Sequence, residues 1–349
     1  MEYEVKGQIR KASNTAFLMV IIYIGFQFAA AFITGIIKAV QVTVSGDMTI
    51  NEQTVNLLLI MTYLILYPIG VPLIWIIFKH TKIGKLKPDF KGMIQKPKIK
   101  AGKIFKWILI FLSLTYLSSI VANFLFTLIE MLTGFSPTSL TMIPSDNTFS
   151  RASVSVVIII FAPIFEEIMF RGMFYNSCEH LGGWSMVLAG GIIFGLFHMN
   201  YSQIIYAAVL GTGACFLYKK TRSIIPGIIL HLSLNILGGL SSLAVSFVDQ
   251  DSIKALMNGE QQAMEAADVM TAPLIAIGCI EIIIFSVIIA GTILFIIELV
   301  KHRDSFKLYK GSTDISEKKK FAVFFTSPLA VICVLLMFAV TVVNALGIL

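Results

Sequence analysis

Long apolar runs dominate this chain, and about 20 apolar residues are enough for one helix to cross the hydrocarbon core of a bilayer. Nine segments qualify: roughly 15–38, 56–78, 105–132, 152–178, 184–199, 204–218, 223–246, 272–300 and 321–345. The fifth and sixth are short and fit tilted or partly interfacial helices. Composition agrees, with 57% hydrophobic and only 13% charged residues among 349, where soluble domains carry about a quarter charged residues. The expectation is an all-α, polytopic membrane helix bundle of about 8–9 transmembrane helices. The first run is too long for a signal-peptide core and reads as a retained span.

The net charge of +7 does not point to nucleic acid, because the basic residues alternate with the spans. Ten lysines lie between Lys79 and Lys106 and seven basic residues between Lys301 and Lys320; Lys6, Arg10 and Lys11 precede the first span. With "KKTR" at 219–222 and Arg171, 24 of the 27 basic residues fall on one side. By the positive-inside rule that side is cytoplasmic. Nine spans then put the amino terminus inside and the carboxyl terminus outside. The Lys79–Lys106 stretch needs no further role, although it could touch anionic headgroups. Cys178, Cys215, Cys279 and Cys333 show no paired spacing, so neither a disulfide framework nor a CxxC zinc site is expected. No P-loop or internal repeat is visible.

Charges inside oily segments are expensive, and the few present mark candidate sites. "IIFAPIFEEIMFRGMF" (159–174) holds Glu166, Glu167 and Arg171. Glu167 and Arg171 are four apart and share a helix face, whereas Glu166 lies about 100° round and can face a cavity. Pro163 removes a backbone donor just ahead of them. "FGLFHMN" places Phe194 and His198 on one face, and "HLSLN" does the same for His231 and Asn235. Glu130 and Glu298 lie near span ends, within reach of the interface. Glu281 is deeper, without a sequence partner, and is assigned no chemistry. Gly182-Gly183 reads as the turn between the fourth and fifth helices. Glu166 precedes it by 16 residues and His198 follows it by 15. Both then sit roughly 23 Å from the turn, and His231 lies roughly 13 Å into its own helix after Arg222. A carboxylate, two imidazoles and an amide would meet at one level, towards the cytoplasmic half. A glutamate there can act as general base near neutral pH, a histidine can relay the proton or ligate a metal, and histidine and asparagine can stabilise an oxyanion. Such parts suit amide hydrolysis.

"EEIMFR", "FGLFH" and "HLSLN" fit EExxxR, FxxxH and HxxxN, in order and on successive apolar helices. Over roughly residues 150–240 the chain resembles the CPBP intramembrane proteases, the CAAX-protease and bacteriocin-processing (Abi) family. The resemblance implies endoproteolysis of a membrane-associated peptide or lipidated protein. It casts Glu166 as the base that activates water and His198 as the group that holds that water. His231 and Asn235 would stabilise the oxyanion, with Glu167 and Arg171 bracing the site and Phe194 as packing support. The family is commonly called a metalloprotease, and Glu166, His198 and His231 are the available zinc ligands. No HExxH is present, so zinc-dependent and metal-free hydrolysis both stay open. The domain division follows: 1–150, amino-terminal helices with the basic cytoplasmic loop; 151–245, the catalytic core in the fourth to seventh helices; 246–349, an acidic external loop and carboxyl-terminal helices of unassigned role. A transporter using the same glutamates and histidines as a proton or ion relay is the rival reading, and a non-catalytic bacteriocin self-immunity protein is a third. Substrate identity and oligomeric state are not written in the sequence.

Overall fold

The computed structural model describes residues 2–45, 60–63, 65–80, 90–136, 154–245, 247–248, 262–311 and 315–347. Much of the lysine-rich loop, the acidic 249–261 stretch and Arg151 fall outside the described residues. Everything regular among the described residues is helical, with no strand. Helix α1 (Glu2–Ser45) is a single long rod. Helix α2 (Ile60–His80) contains Pro68 inside a wide π turn. Helix α3 (Ala101–Thr133) ends at Gly134, whose left-handed backbone (φ 69°) lets its N–H bond the Glu130 carbonyl without the Cβ penalty other residues meet there. These three, with α6 (Tyr201–Thr221), α7 (Ile225–Val245), α8 (262–301) and α10 (Pro328–Ala345), are long and apolar enough to cross a membrane. The chain is a multi-pass membrane protein.

The fourth expected span takes another form, and the fifth is short, as its sequence suggests. The fourth, α4, runs through 154–178 with alternating α and π geometry. Its first π turn, Val157–Phe161, closes with the Ala162 N–H bonding the Val157 carbonyl. In that i→i−5 register the next donor would be Pro163, which has no N–H, so the Ile158 carbonyl is left over. Helix α5 (Trp184–Phe197) has only 14 residues, roughly 21 Å, and turns straight back into α6. This hairpin is the most closely packed helix pair among the described residues. A Cβ on Gly191 would lie 2.1 Å from Thr212 Oγ1, and one on Gly195 would lie 2.4 Å from the Ile204 carbonyl. Small residues four apart are how helices approach closely in lipid, where apolar burial offers no separate drive.

The expected 321–345 span is two helices, α9 (Glu317–Phe325) and α10, because Pro328 starts a new helix at its first turn, where a missing N–H costs nothing. Ser13 of α1 closes the break, donating to the Phe324 carbonyl at 2.6 Å with Ser327 also within 2.6 Å. Phe174 packs edge-on to both Phe17 and Phe324 beside it. Outward, Phe32, Ile282, Phe285 and Leu335 are exposed, a surface that lipid covers at no cost.

Candidate functional site

Helix α4 aims the adjacent glutamates in different directions. Glu167 is wholly buried, with Oε1 2.8 Å from Arg171 Nη1. That nitrogen is not aligned for a hydrogen bond, so the contact is chiefly Coulombic. Arg171 instead donates from Nη2 to the Gly211 carbonyl at 3.0 Å, and its guanidinium lies 4.4 Å over the Phe194 ring, a cation–π arrangement. Glu167 Oε1 also accepts from His231 Nδ1 at 3.3 Å. Its carboxylate presses on α7 where only glycine fits, since a Cβ on Gly227 would lie 2.6 Å from Oε2.

Glu166 faces the other way. Its Oε1 accepts the Tyr67 hydroxyl of α2 at 2.9 Å. Its Oε2 is buried without a hydrogen-bond partner and lies 3.9 Å from His231 Nε2. A carboxylate only accepts, so Nδ1 of His231 carries a proton.

His198 stands where α5 stops. Its Nδ1–H donates to the Phe194 carbonyl at 2.8 Å. The hairpin then turns through Met199, which takes a left-handed conformation (φ 48°), costly for a residue with a long side chain. Asn200 caps α6, accepting the Ser202 N–H at 3.2 Å. From α10, the Asn344 amide donates to the Met199 carbonyl at 2.9 Å. At the other end of α5, Glu317 Oε2 accepts the N–H groups of Gly183 and Ser185 at 2.9 and 3.0 Å and the Ser185 hydroxyl at 2.7 Å. Both ends of the short helix bearing His198 are therefore tied to the carboxyl-terminal helices. Phe194 fills the space between, edge-on to His198 and His231 at 5.0 and 5.5 Å.

Asn235 donates from Nδ2 to the Ile158 carbonyl at 2.9 Å, the acceptor that Pro163 leaves over. One of its two N–H donors is thus committed to holding α4 against α7.

Glu166, His198, His231 and Asn235 line one cavity of about 740 Å³, together with Tyr67 and Tyr206. Glu167, Arg171 and Phe194 lie behind it. Glu166 and His198, which the sequence spaces equally about Gly182-Gly183, line the same cavity. Tyr67, Gly227 and Asn344 are the contacts the sequence reading missed. Each is an ordinary residue in an apolar helix, and no charge or motif singles it out. Glu281, left without a role, accepts the Ser241 hydroxyl at 3.3 Å. As to metal, His198 and His231, each with Nδ1–H anchored, match the second-sphere pattern of ligating histidines. Their spacing does not, since among the described residues no three His, Cys, Asp or Glu side chains are grouped to hold an ion.

Residues 148–237 match the family model described as type II CAAX prenyl endopeptidase Rce1-like. The match spans the helices that carry all three motifs and agrees with the resemblance they suggest. Comparison with curated proteins gives no match, and comparison with solved structures gives none.

Proposed function

We propose, with that family match as the premise, that this chain is an intramembrane endopeptidase that hydrolyses a peptide bond of a membrane-associated peptide or lipidated protein. The observation that carries the reading is Glu166 at the cavity wall, its buried Oε2 without a hydrogen-bond partner and 3.9 Å from His231 Nε2. In this account a water between them gives a proton to Glu166 Oε2 while its oxygen attacks the substrate carbonyl carbon. Tyr67 fixes the carboxylate through Oε1, so that Oε2 points at the water. The Arg171–Glu167 pair holds the His231 tautomer. The proton on Glu166 then passes to the leaving nitrogen as the C–N bond breaks. His198 holds the water, and the second Asn235 N–H faces the developing oxyanion. General-base help of this kind contributes about 10²–10⁴-fold.

Zinc is the family's presumed ion. Glu166, His198 and His231 would hold it here, and when bound it would acidify the water. No step above requires it, and the present spacing of those three side chains favours the metal-free route. We place the cavity towards the cytoplasmic half, with the amino terminus inside; processing of a peptide precursor and proteolytic self-immunity are both compatible roles.

The test is cleavage by the purified, detergent-solubilised chain of a panel of prenylated CAAX-type and unlipidated membrane peptides, before and after chelation. Discrete products near the carboxyl terminus, made at a similar rate after chelation, are expected. No cleavage of any peptide alongside measurable ion flux in vesicles would replace the protease with the transporter, and activity abolished by chelation and restored by zinc would overturn the metal-free route.

A further inference from the structure

A second cavity, of about 650 Å³, opens far from Glu166, where α3 begins and α8 ends. The two helices run antiparallel in close contact: Ser113 donates to the Ile288 carbonyl at 2.8 Å, and a Cβ on Gly291 would meet the Leu109 carbonyl at 2.3 Å. Lys103, Lys301 and Arg303 line the opening, and among the described residues none has a carboxylate within ion-pair distance. The two acids present are already engaged, Glu298 with Lys106 and Asp304 with Lys307 at 2.7 Å. The cavity therefore keeps an excess of positive charge.

Its rim is not wholly polar. Val300 lines it, and Phe105 lies beside Lys106 in sequence; they are 68% and 62% exposed. Trp107 forms part of the wall, at the point where the apolar body of α8 gives way to the charged 301–310 stretch. Indole rings favour that depth of a bilayer, where headgroups lie. Cations above, exposed hydrocarbon below and a cavity between suit a ligand with an anionic head and an apolar tail.

We propose that this cavity binds the phosphoryl headgroup of an anionic phospholipid, with the acyl chains lying along Phe105 and Val300. Positive-inside placement alone accounts for lysines on this side, but it does not require unpaired cations to line a cavity with an apolar lower rim. The proposal stands apart from the protease reading, since it uses none of the cavity residues around Glu166.

The thermal midpoint of the full chain in neutral detergent, titrated with short-chain phosphatidylglycerol, phosphatidylcholine or inorganic phosphate, tests this. Phosphatidylglycerol should raise the midpoint saturably, and the other two should not. Lys103→Gln/Lys301→Gln/Arg303→Gln should need at least about tenfold more phosphatidylglycerol, since each cation near an anionic surface adds to the attraction. Arg10→Gln/Lys11→Gln/Lys318→Gln, which removes three charges elsewhere on the expected cytoplasmic side, should titrate like wild type. Equal response to phosphatidylcholine, an equal response to phosphate alone, an unshifted cavity variant, or an equal loss in the control variant would each overturn the proposal. Native mass spectrometry of wild type drawn from an equal mixture of the two lipids makes the same test without a variant: preferential retention of phosphatidylglycerol supports it, and equal retention refutes it.

Discussion

Two buried carboxylate clusters lie in the same stretch of chain, and they are finished differently. At the Gly182 end, Glu179 contacts Arg222 through Oε1 and Lys219, at 3.0 Å, through Oε2. Lys219 also donates to the carbonyls of Glu179 and of Gly182, the latter at 2.9 Å. Both carboxylate oxygens and the ammonium group are occupied. At the other cluster, Oε2 of Glu166 and Oε2 of Glu167 are buried without a hydrogen bond. A buried polar atom left without any partner costs about 1–3 kcal/mol; at Glu179 protein cations supply the partners, whereas at Glu166 Oε2 no protein group does. The saturated cluster ties the α4–α5 turn to α6; the open one faces a cavity. Burial and charge are common to both, and only the unfilled valence separates the chemical site from the structural one.

The contrast can be broken from the structural side first. Glu179→Gln should strip the charge partner from buried Lys219 and lower stability by about 3–5 kcal/mol, read as a lower thermal midpoint. Cleavage per folded molecule should stay within a few-fold of wild type. A Glu179 variant that is fully stable yet inactive would erase the distinction. On the functional side, Gly227→Ala drives a methyl into Glu167 Oε2. It should cost about 1–3 kcal/mol and, unlike Glu179→Gln, should lower kcat at least tenfold in the molecules that remain folded, because the His231 proton loses its acceptor. Tyr67→Phe removes one hydrogen bond from Glu166 and should be the mildest, about 1 kcal/mol. The thermal midpoint should fall by no more than a few degrees, and the catalytic effect should fall on kcat with KM nearly unchanged.

The parts of this site legible in the sequence are those that break an apolar pattern. Glu166, Glu167, Arg171, His198, His231 and Asn235 stand out because ionisable and amide groups are rare in membrane helices. Their helical spacing then says which share a face. Tyr67 was hidden, since a tyrosine on an apolar helix carries no signal until its hydroxyl is seen on Glu166. The turn between the fifth and sixth helices was legible where the apolar run stops near 199, but its means was not: α5 ends in a left-handed backbone at Met199, held by the Asn200 cap and by Asn344, far along the chain. The π turn before Pro163 follows from hydrogen-bond register, which composition does not reveal, and with it went the first duty of Asn235. The break at Ser327-Pro328 was readable, because serine followed by proline is a helix-start signal; the length of the apolar run masked it.

The catalytic claim rests on Glu166, and the direct measurement is the cleavage rate of purified Glu166→Gln beside wild type, on a peptide that wild type cuts, with both thermal midpoints recorded. Glutamine preserves the shape and can still accept the Tyr67 hydroxyl, but it cannot take a proton from water. The account predicts a loss of about 10³-fold or more, near the upper part of the general-base range, with a midpoint equal to or above that of wild type. A Glu166→Gln protein that cleaves within tenfold of wild type would contradict it.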